Sequence, residues 1–185
     1  IAANYISHQE LKPPFLCLII SGGHTHLVYI QDYDKFDIIG KTRDDAIGEA
    51  FDKVARVIGL GYPGGPKVDK LAKEGEANIE LPKTHIEGLD FSFSGIKTAI
   101  INLHHKNPDI NKADLCASFE KYVTDILINN TIEASKKMNT KTIALAGGVS
   151  ANSYIREKFI ELEKQGYKVC YPNPILCTDN AAMIA

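Results

Sequence analysis

Thr142-Ile143-Ala144-Leu145-Ala146-Gly147-Gly148-Val149-Ser150-Ala151-Asn152 is the stretch that decides the fold. An uncharged run rich in apolar side chains goes straight into two glycines and a polar Ser-x-Asn. Ser153-Tyr154-Ile155-Arg156-Glu157-Lys158-Phe159 follows, with apolar side chains at helical spacing. A short continuous apolar run bounded by glycine reads as a buried strand, so the unit is strand, turn, helix. In open α/β sheets, ligands gather at the carboxyl ends of strands. Glycine lets a backbone approach a ligand closely, and a helix N-terminus offers it free N–H groups. One Gly-Gly turn is a weak signal. A second of the same kind, Ile20-Ser21-Gly22-Gly23-His24-Thr25, strengthens it.

Outward from these turns, the chain alternates strands and helices. Residues 1–10 read as the tail of a helix, broken by Pro13-Pro14. Residues 15–20 and 27–31 read as strands of a hairpin, and 36–42 as a third strand. Such tight succession predicts an antiparallel edge on a mixed sheet. Residues 44–58 carry Ile47, Ala50, Phe51, Val54 and Ile58 at helical spacing. Residues 59–66 read as a rigid glycine-rich loop, 67–74 as a short helix, 75–89 as irregular, and 91–95 as strand-like. Residues 96–104 read as helical, and Asn111 caps a long helix that runs to about Met138. A helix over 152–165 is stopped by Gly166, and a strand follows over 167–171. Thr178-Asp179-Asn180 is a good opening for a last helix.

Composition sets the bounds. At 185 residues, 44% hydrophobic and 24% charged, the chain suits one ordinary globular core. A formal net charge of −2 argues against a strongly basic nucleic-acid binder, though not against RNA contact through a local patch or a partner. The 4 cysteines show no Cys-x-x-Cys spacing, and Cys17, Cys116 and Cys170 lie in apolar runs, as buried thiols in a reducing cytosol would. No run approaches the roughly 18 apolar residues of a membrane span. A cytoplasmic location with no membrane partner is expected. Both ends read as cuts within helices, so the chain is expected to be a fragment.

Several residues admit both a structural and a chemical reading. The Ser21-Gly22-Gly23 turn serves a plain hairpin or an anion. On the helix over 44–58, Glu49–Lys53 and Asp52–Arg56 are i,i+4 pairs; an exposed salt-bridged face and a carboxylate that accepts ribose hydroxyls both fit. Tyr62-Pro63-Gly64-Gly65-Pro66 suits a rigid connector or the close approach of a flat ligand. Asp179, read locally, is an N-cap.

Six segments taken together resemble the TsaD family (older name Gcp), the tRNA N6-adenosine threonylcarbamoyltransferases. They are 21–25 (Ser-Gly-Gly-His-Thr), 48–53 (Gly-Glu-Ala-Phe-Asp-Lys), 62–66 (Tyr-Pro-Gly-Gly-Pro), 88–98 (Gly-Leu-Asp-Phe-Ser-Phe-Ser-Gly-Ile-Lys-Thr), 146–152 (Ala-Gly-Gly-Val-Ser-Ala-Asn) and 177–185 (Cys-Thr-Asp-Asn-Ala-Ala-Met-Ile-Ala). They stand in the family's order and near its spacing. The resemblance implies an α/β, actin-like ATPase fold of ribonuclease-H type with two lobes and a nucleotide cleft. Residues 1–13 would be the tail of a first-lobe helix, 14–178 the second lobe, and 179–185 the start of a helix returning to the first.

The resemblance also assigns roles. Ile19, Ile20, Ser21, Gly22 and Gly23 would form the phosphate-side hairpin. Asp52, Gly65 and Asn152 would hold the adenylate, with Asp69 a weaker candidate. Asp179 would be one of three ligands of a divalent metal, iron by preference, zinc or magnesium as alternatives. The other two ligands in the family are histidines of an H-x-x-x-H helix; His8 lacks the spacing to replace them. The implied activity is acyl transfer: the threonylcarbamoyl group passes from threonylcarbamoyl-AMP to N6 of adenosine 37 in tRNAs that read codons starting with A. ATP or AMP could occupy the same cleft. The implied partners are tRNA and, in bacteria, a TsaB-like paralogue and a TsaE-like ATPase, and the fragment alone is expected to be inactive. Two other classes stand beside this one. They are the metal-dependent O-sialoglycoprotein endopeptidase of the family's older annotation and a non-catalytic nucleotide-binding module. H-E-x-x-H, the common zinc-peptidase signature, does not occur in this sequence.

Overall fold

The computed structural model describes residues 1–82, 86–178 and 181. Five strands form one sheet: β1 Phe15–Ile20, β2 Thr25–Asp32, β3 Lys35–Lys41, β4 Thr142–Ala146 and β5 Lys168–Cys170, in the order β3-β2-β1-β4-β5. β1–β2 and β2–β3 are antiparallel, while β1–β4 and β4–β5 are parallel. The expected antiparallel edge on a mixed sheet is therefore present. A parallel return to β1 requires a long crossover. Four helices supply it: α2 Ile47–Val57, α3 Gly64–Ala72, α4 Ser94–Lys106 and α5 Lys112–Met138. α1 Ala2–Ser7 precedes the sheet and α6 Ser153–Ile160 links β4 to β5.

β1 reads Phe-Leu-Cys-Leu-Ile-Ile because both of its faces are covered. Leu16, Leu18 and Ile20 point into the larger core, shared with α2, α4 and α5; Phe15 and Cys17 point into a smaller one, shared with Leu11 and β5. β3, at the edge, leaves Phe36 and Ile38 exposed. α5 buries Leu115, Phe119, Val123 and Leu127 along one i,i+4 stripe. Its N-cap Asn111 accepts from the amides of Ala113 and Asp114, as the sequence predicts. Phe51 of α2 meets Phe119 of α5 edge-on at 5.0 Å, which ties the crossover helices together.

Three local expectations are corrected. α2 starts at Ile47, because Asp44 and Asp45 turn away to bind other groups. Asp45 holds Lys97 Nζ at 2.6 Å and Lys53 Nζ at 2.8 Å. Asp44 accepts from the amides of Phe93 (2.9 Å) and Ser94 (3.3 Å) and from the hydroxyls of Ser92 and Ser94. Residues 91–95 form no strand: Phe91 makes a single bridge to Thr42, and α4 begins at Ser94. Residues 64–66, expected in a loop, are the first turn of α3. No helix among the described residues is long and apolar enough to cross a membrane.

Candidate functional site

β1 and β4 end side by side, and the chain diverges after each. After β4, Gly147 adopts φ +91°, and a Cβ there would stand 2.4 Å from Ile20 O. Glycine alone suits that position on both counts. A 3-10 turn, Gly148–Ala151, then leads to Asn152, the N-cap of α6, whose side chain accepts from Ile155 N. After β1, Ser21 closes the hairpin by accepting from His24 N at 2.9 Å. α2 docks on that hairpin through Gly48, whose N–H donates to Ser21 O at 3.1 Å; a Cβ on Gly48 would strike Ser21 and Gly22 at 2.7–2.8 Å.

A cavity of about 480 Å³ opens between these parts. Its apolar wall includes Phe51, Tyr62, Pro63, Pro66 and Val149, and its polar wall Asp52, Asp69, Asn152 and Thr178. Gly22, Gly48, Gly65, Gly148 and Ala151 complete the lining. A Cβ on Gly65 would meet nothing within 4 Å. The N-termini of α2, α3 and α6 border the cavity; the Asp52 carboxylate already meets that of α3, and the partial positive charges of the other two favour an anion. The two aspartates are acceptors suited to hydroxyls. Flat apolar surface, hydroxyl acceptors and anion-seeking helix ends in one cleft are the requirements of a nucleotide.

Of the residues that the resemblance singled out, Gly22, Asp52, Gly65, Asp69 and Asn152 line the cavity. Ser21 and Gly23 belong to the hairpin turn beside it, Ile20 is buried in the larger core, and Ile19 packs against the smaller one. Asp52 does not take Arg56 as its partner. Its Oδ1 accepts from Gly64 N at 2.7 Å and so caps α3 from the neighbouring helix. Glu49 does pair with Lys53, at 2.7 Å. Asp69 accepts from Ser153 Oγ at 2.6 Å and lies 3.7 Å from Lys73 Nζ.

Asp179 lies outside the described residues; its neighbour Thr178 lines the cavity. Among the described residues, the one group with metal-ligand atoms in mutual reach is elsewhere. His8, Glu10 and Cys170 bring theirs within 4.8 Å and could hold a divalent ion. Two of the three also have partners without one. His8 Nε2 lies 2.9 Å from Tyr171 O, and the exposed Glu10 lies 3.4 Å from Lys168 Nζ. The described residues thus supply no metal set at the cavity.

Sequence reading missed Glu120. It is buried on α5, one helix back from the cavity, and accepts a hydrogen bond from Asn152 Nδ2 at 2.5 Å. Burial and the nearby charge of Asp69 push its carboxyl up to about 7, against the opposing pull of the Asn152 bond and Lys73. The signal was there: Cys116, Glu120 and Thr124 are i,i+4 neighbours, all buried, and an acid on such a line needs a reason.

Fold and cleft define the class: an α/β protein of actin-like type, with a ligand cavity at the carboxyl ends of its parallel strands. Comparison with solved structures supports the fold. Full-length HypF, crystallised in a phosphate- and nucleotide-bound form, superposes over 99% of this chain and 40% of its own, with TM-score 0.80 and 16% identity. Component A of the Acidaminococcus fermentans (R)-2-hydroxyglutaryl-CoA dehydratase superposes over 95% of this chain and 60% of its own, with TM-score 0.55 and 14% identity. The family profile TsaD, tRNA N6-adenosine threonylcarbamoyltransferase, matches residues 1–185, and the chain belongs to that family. Proteins described as tRNA N6-adenosine threonylcarbamoyltransferase from Clostridium perfringens (strain SM101 / Type A) and Clostridium novyi (strain NT) are 58% and 55% identical over all of this chain. The chain spans 57% of the length of each.

Proposed function

We propose that this chain is the adenylate-holding second lobe of a threonylcarbamoyltransferase that makes threonylcarbamoyl-adenosine in tRNA. The single observation that carries this reading is the cavity: Asp52, Gly65, Asp69 and Asn152, four positions that the family resemblance assigns to the adenylate, line one cleft. On this reading the base lies along Phe51, Tyr62 and the prolines near Gly65. Asp52 and Asp69 accept the ribose hydroxyls, and the phosphate faces the Gly22 turn and the 3-10 turn after β4.

The exocyclic N6 of adenosine 37, in tRNAs reading codons that start with A, attacks the carbamoyl carbon of threonylcarbamoyl-AMP. The new C–N bond forms, the C–O bond to phosphate breaks, AMP leaves with that electron pair, and the N6 proton passes to solvent. No side-chain nucleophile is needed. What the chain supplies is alignment of the two reactants and charge stabilisation of the leaving phosphate by helix N-termini. A divalent metal on Asp179, iron by preference and zinc or magnesium as alternatives, belongs to the whole protein, and no step here depends on it. tRNA binding by a chain of net charge −2 is shared with partners of TsaB and TsaE type. The four buried, unpaired thiols fit a cytoplasmic setting.

The test is reconstitution. The protein in its natural length is incubated with its partner proteins, ATP, bicarbonate, threonine, an adenylate-forming enzyme and unmodified tRNA, and digested tRNA is read by mass spectrometry. Threonylcarbamoyl-adenosine is expected, with yield reduced at least tenfold in Asp52→Ala, as loss of a ribose contact worth about 1.5 kcal/mol implies. AMP binding without product would make the protein a nucleotide-binding module instead.

A further inference from the structure

Behind the cleft wall lies a second cavity of about 180 Å³, lined in part by Lys73, Glu120, Ser153, Tyr154 and Glu157. Asn152 and Asp69 face the main cavity, and two hydrogen bonds link them to this second layer. One runs from Asn152 Nδ2 to Glu120, the other from Ser153 Oγ to Asp69. The wall of the cleft is therefore a polar seam between α3, α5 and the start of α6.

The amide of Asn152 is fixed at both ends. Oδ1 accepts from Ile155 N at 2.9 Å, which decides which atom is oxygen. Nδ2 then carries two protons, and Glu120 takes one. We propose that Glu120 is a positioning residue: by holding one Nδ2 proton of Asn152, it aims the other into the cavity as a donor to the bound nucleotide. The proposal rests on the reading of the cavity as an adenylate site.

The carboxyl of Glu120 performs this task in either protonation state, since an oxygen remains to accept. Its charge matters separately. The groups facing it are Asp69 on α3, Lys73 just past the end of that helix, Tyr154 and Glu157 on α6, and Cys116 on its own helix. Burial and Asp69 hold the carboxyl near neutrality of charge up to about pH 7. Above that range a buried negative charge sits behind a ligand that is itself an anion, so affinity falls.

The experiment measures AMP binding by titration calorimetry on the protein in its natural length. Asp52→Ala and Asn152→Ala test the cavity, and Glu120→Ala, Glu120→Gln and the double variant Glu120→Ala/Asn152→Ala test the proposal. Glu120→Ala is expected to weaken AMP about tenfold, the scale of one well-placed hydrogen bond to a polar group. Asn152→Ala should match it, and the double variant should lose no more than either single one. Glu120→Gln keeps an acceptor and should restore binding. Between pH 6.5 and 8.5 the second ionisation of AMP gives all variants a common slope; wild type should fall several-fold below Glu120→Gln as pH rises. Unchanged affinity in Asp52→Ala and Asn152→Ala would overturn the cavity reading and the proposal with it. Weakened binding in those two, with Glu120→Ala additive to Asn152→Ala, would overturn the proposal alone; identical pH slopes in wild type and Glu120→Gln would overturn only the separate role of its charge. If Glu120→Ala fails to fold, Glu120→Met fills similar volume without an oxygen acceptor and takes its place: weakened AMP binding is expected, and wild-type affinity would overturn the proposal.

Discussion

Two acidic corners of this molecule are built on opposite principles. At the entrance to α2, Asp44 and Asp45 are surrounded by donors: two lysines, two serine hydroxyls and two backbone amides. Burial alone would push both carboxyls up, but the side-chain hydrogen bonds from Ser92 and Ser94, and from Lys53 and Lys97, outweigh it and hold both below the usual carboxylate range. Behind the cleft, Asp69 and Glu120 face each other across α3 and α5 with far fewer donors, and Glu120 is driven up to about 7. The first corner is what folding selects, since every charge is met. The second carries a deficit that stability does not explain, in the wall of the cavity where the candidate ligand residues gather. Strained electrostatics of that kind mark functional sites more often than structural ones.

The contrast predicts opposite pH dependences at the two corners. Glu120 starts from 4.5 in the unfolded chain and stands at about 7 in the fold. Between those values the folded state keeps a proton that the unfolded state has lost, so stability falls as pH rises and levels off above about 7. The accumulated cost is on the order of 3 kcal/mol. Glu120→Gln should therefore be neutral near pH 4 and more stable than wild type by that order at pH 8, measured by urea unfolding at both values. A variant less stable at pH 8 would show that the carboxylate is as well met as Asp45. For Asp45 the sign reverses. Its carboxyl is lowered, so its contribution is present above about pH 4 and lost as pH falls. Asp45→Ala leaves the largely buried Lys97 without its partner and should cost about 2 kcal/mol at pH 7. The gap from wild type should close below pH 3 in the same assay.

The two corners also differ in how far the sequence reveals them. β1 and β4 coincide with their expected residues, 15–20 and 142–146, because continuous apolar runs bounded by Pro14 and Gly147 leave little choice. The cap at Asn111 is local chemistry and equally readable. What misleads is chemistry supplied from a distance. Pro63-Gly64-Gly65-Pro66 has the composition of a loop, yet proline suits a first helical turn, and the missing cap comes from Asp52, twelve residues back on another helix. The same bond removes Asp52 from the i,i+4 pairing with Arg56 that its spacing suggests. Asp44 escapes the expected helix because its partners lie 48 to 50 residues further on. The cavity residues Asp52, Gly65, Asp69 and Asn152 were legible through family likeness, and Glu120 was not, because its role depends on a helix packing behind them.

Asp44 stabilises the saturated corner more weakly than Asp45 does. α4 begins at Ser94 after Phe93, which offers no side-chain cap of its own. Asp44 supplies one from the sheet side, through Phe93 N and Ser94 N. Unlike Asp45 it is exposed, so in Asp44→Ala water can reach the freed amides and replace part of what is lost. The cost should be about 1 kcal/mol, that of an ordinary N-cap, and it should shrink as pH falls, since the neutral carboxyl is a weaker acceptor than the carboxylate. Hydrogen exchange would locate it. Faster exchange confined to Phe93, Ser94 and the first turn of α4 is expected, with the rest of the sheet unchanged. Faster exchange spread through α2 and the cavity wall would mean that the two acidic corners are coupled, and that a change at the saturated one reaches the one held in deficit.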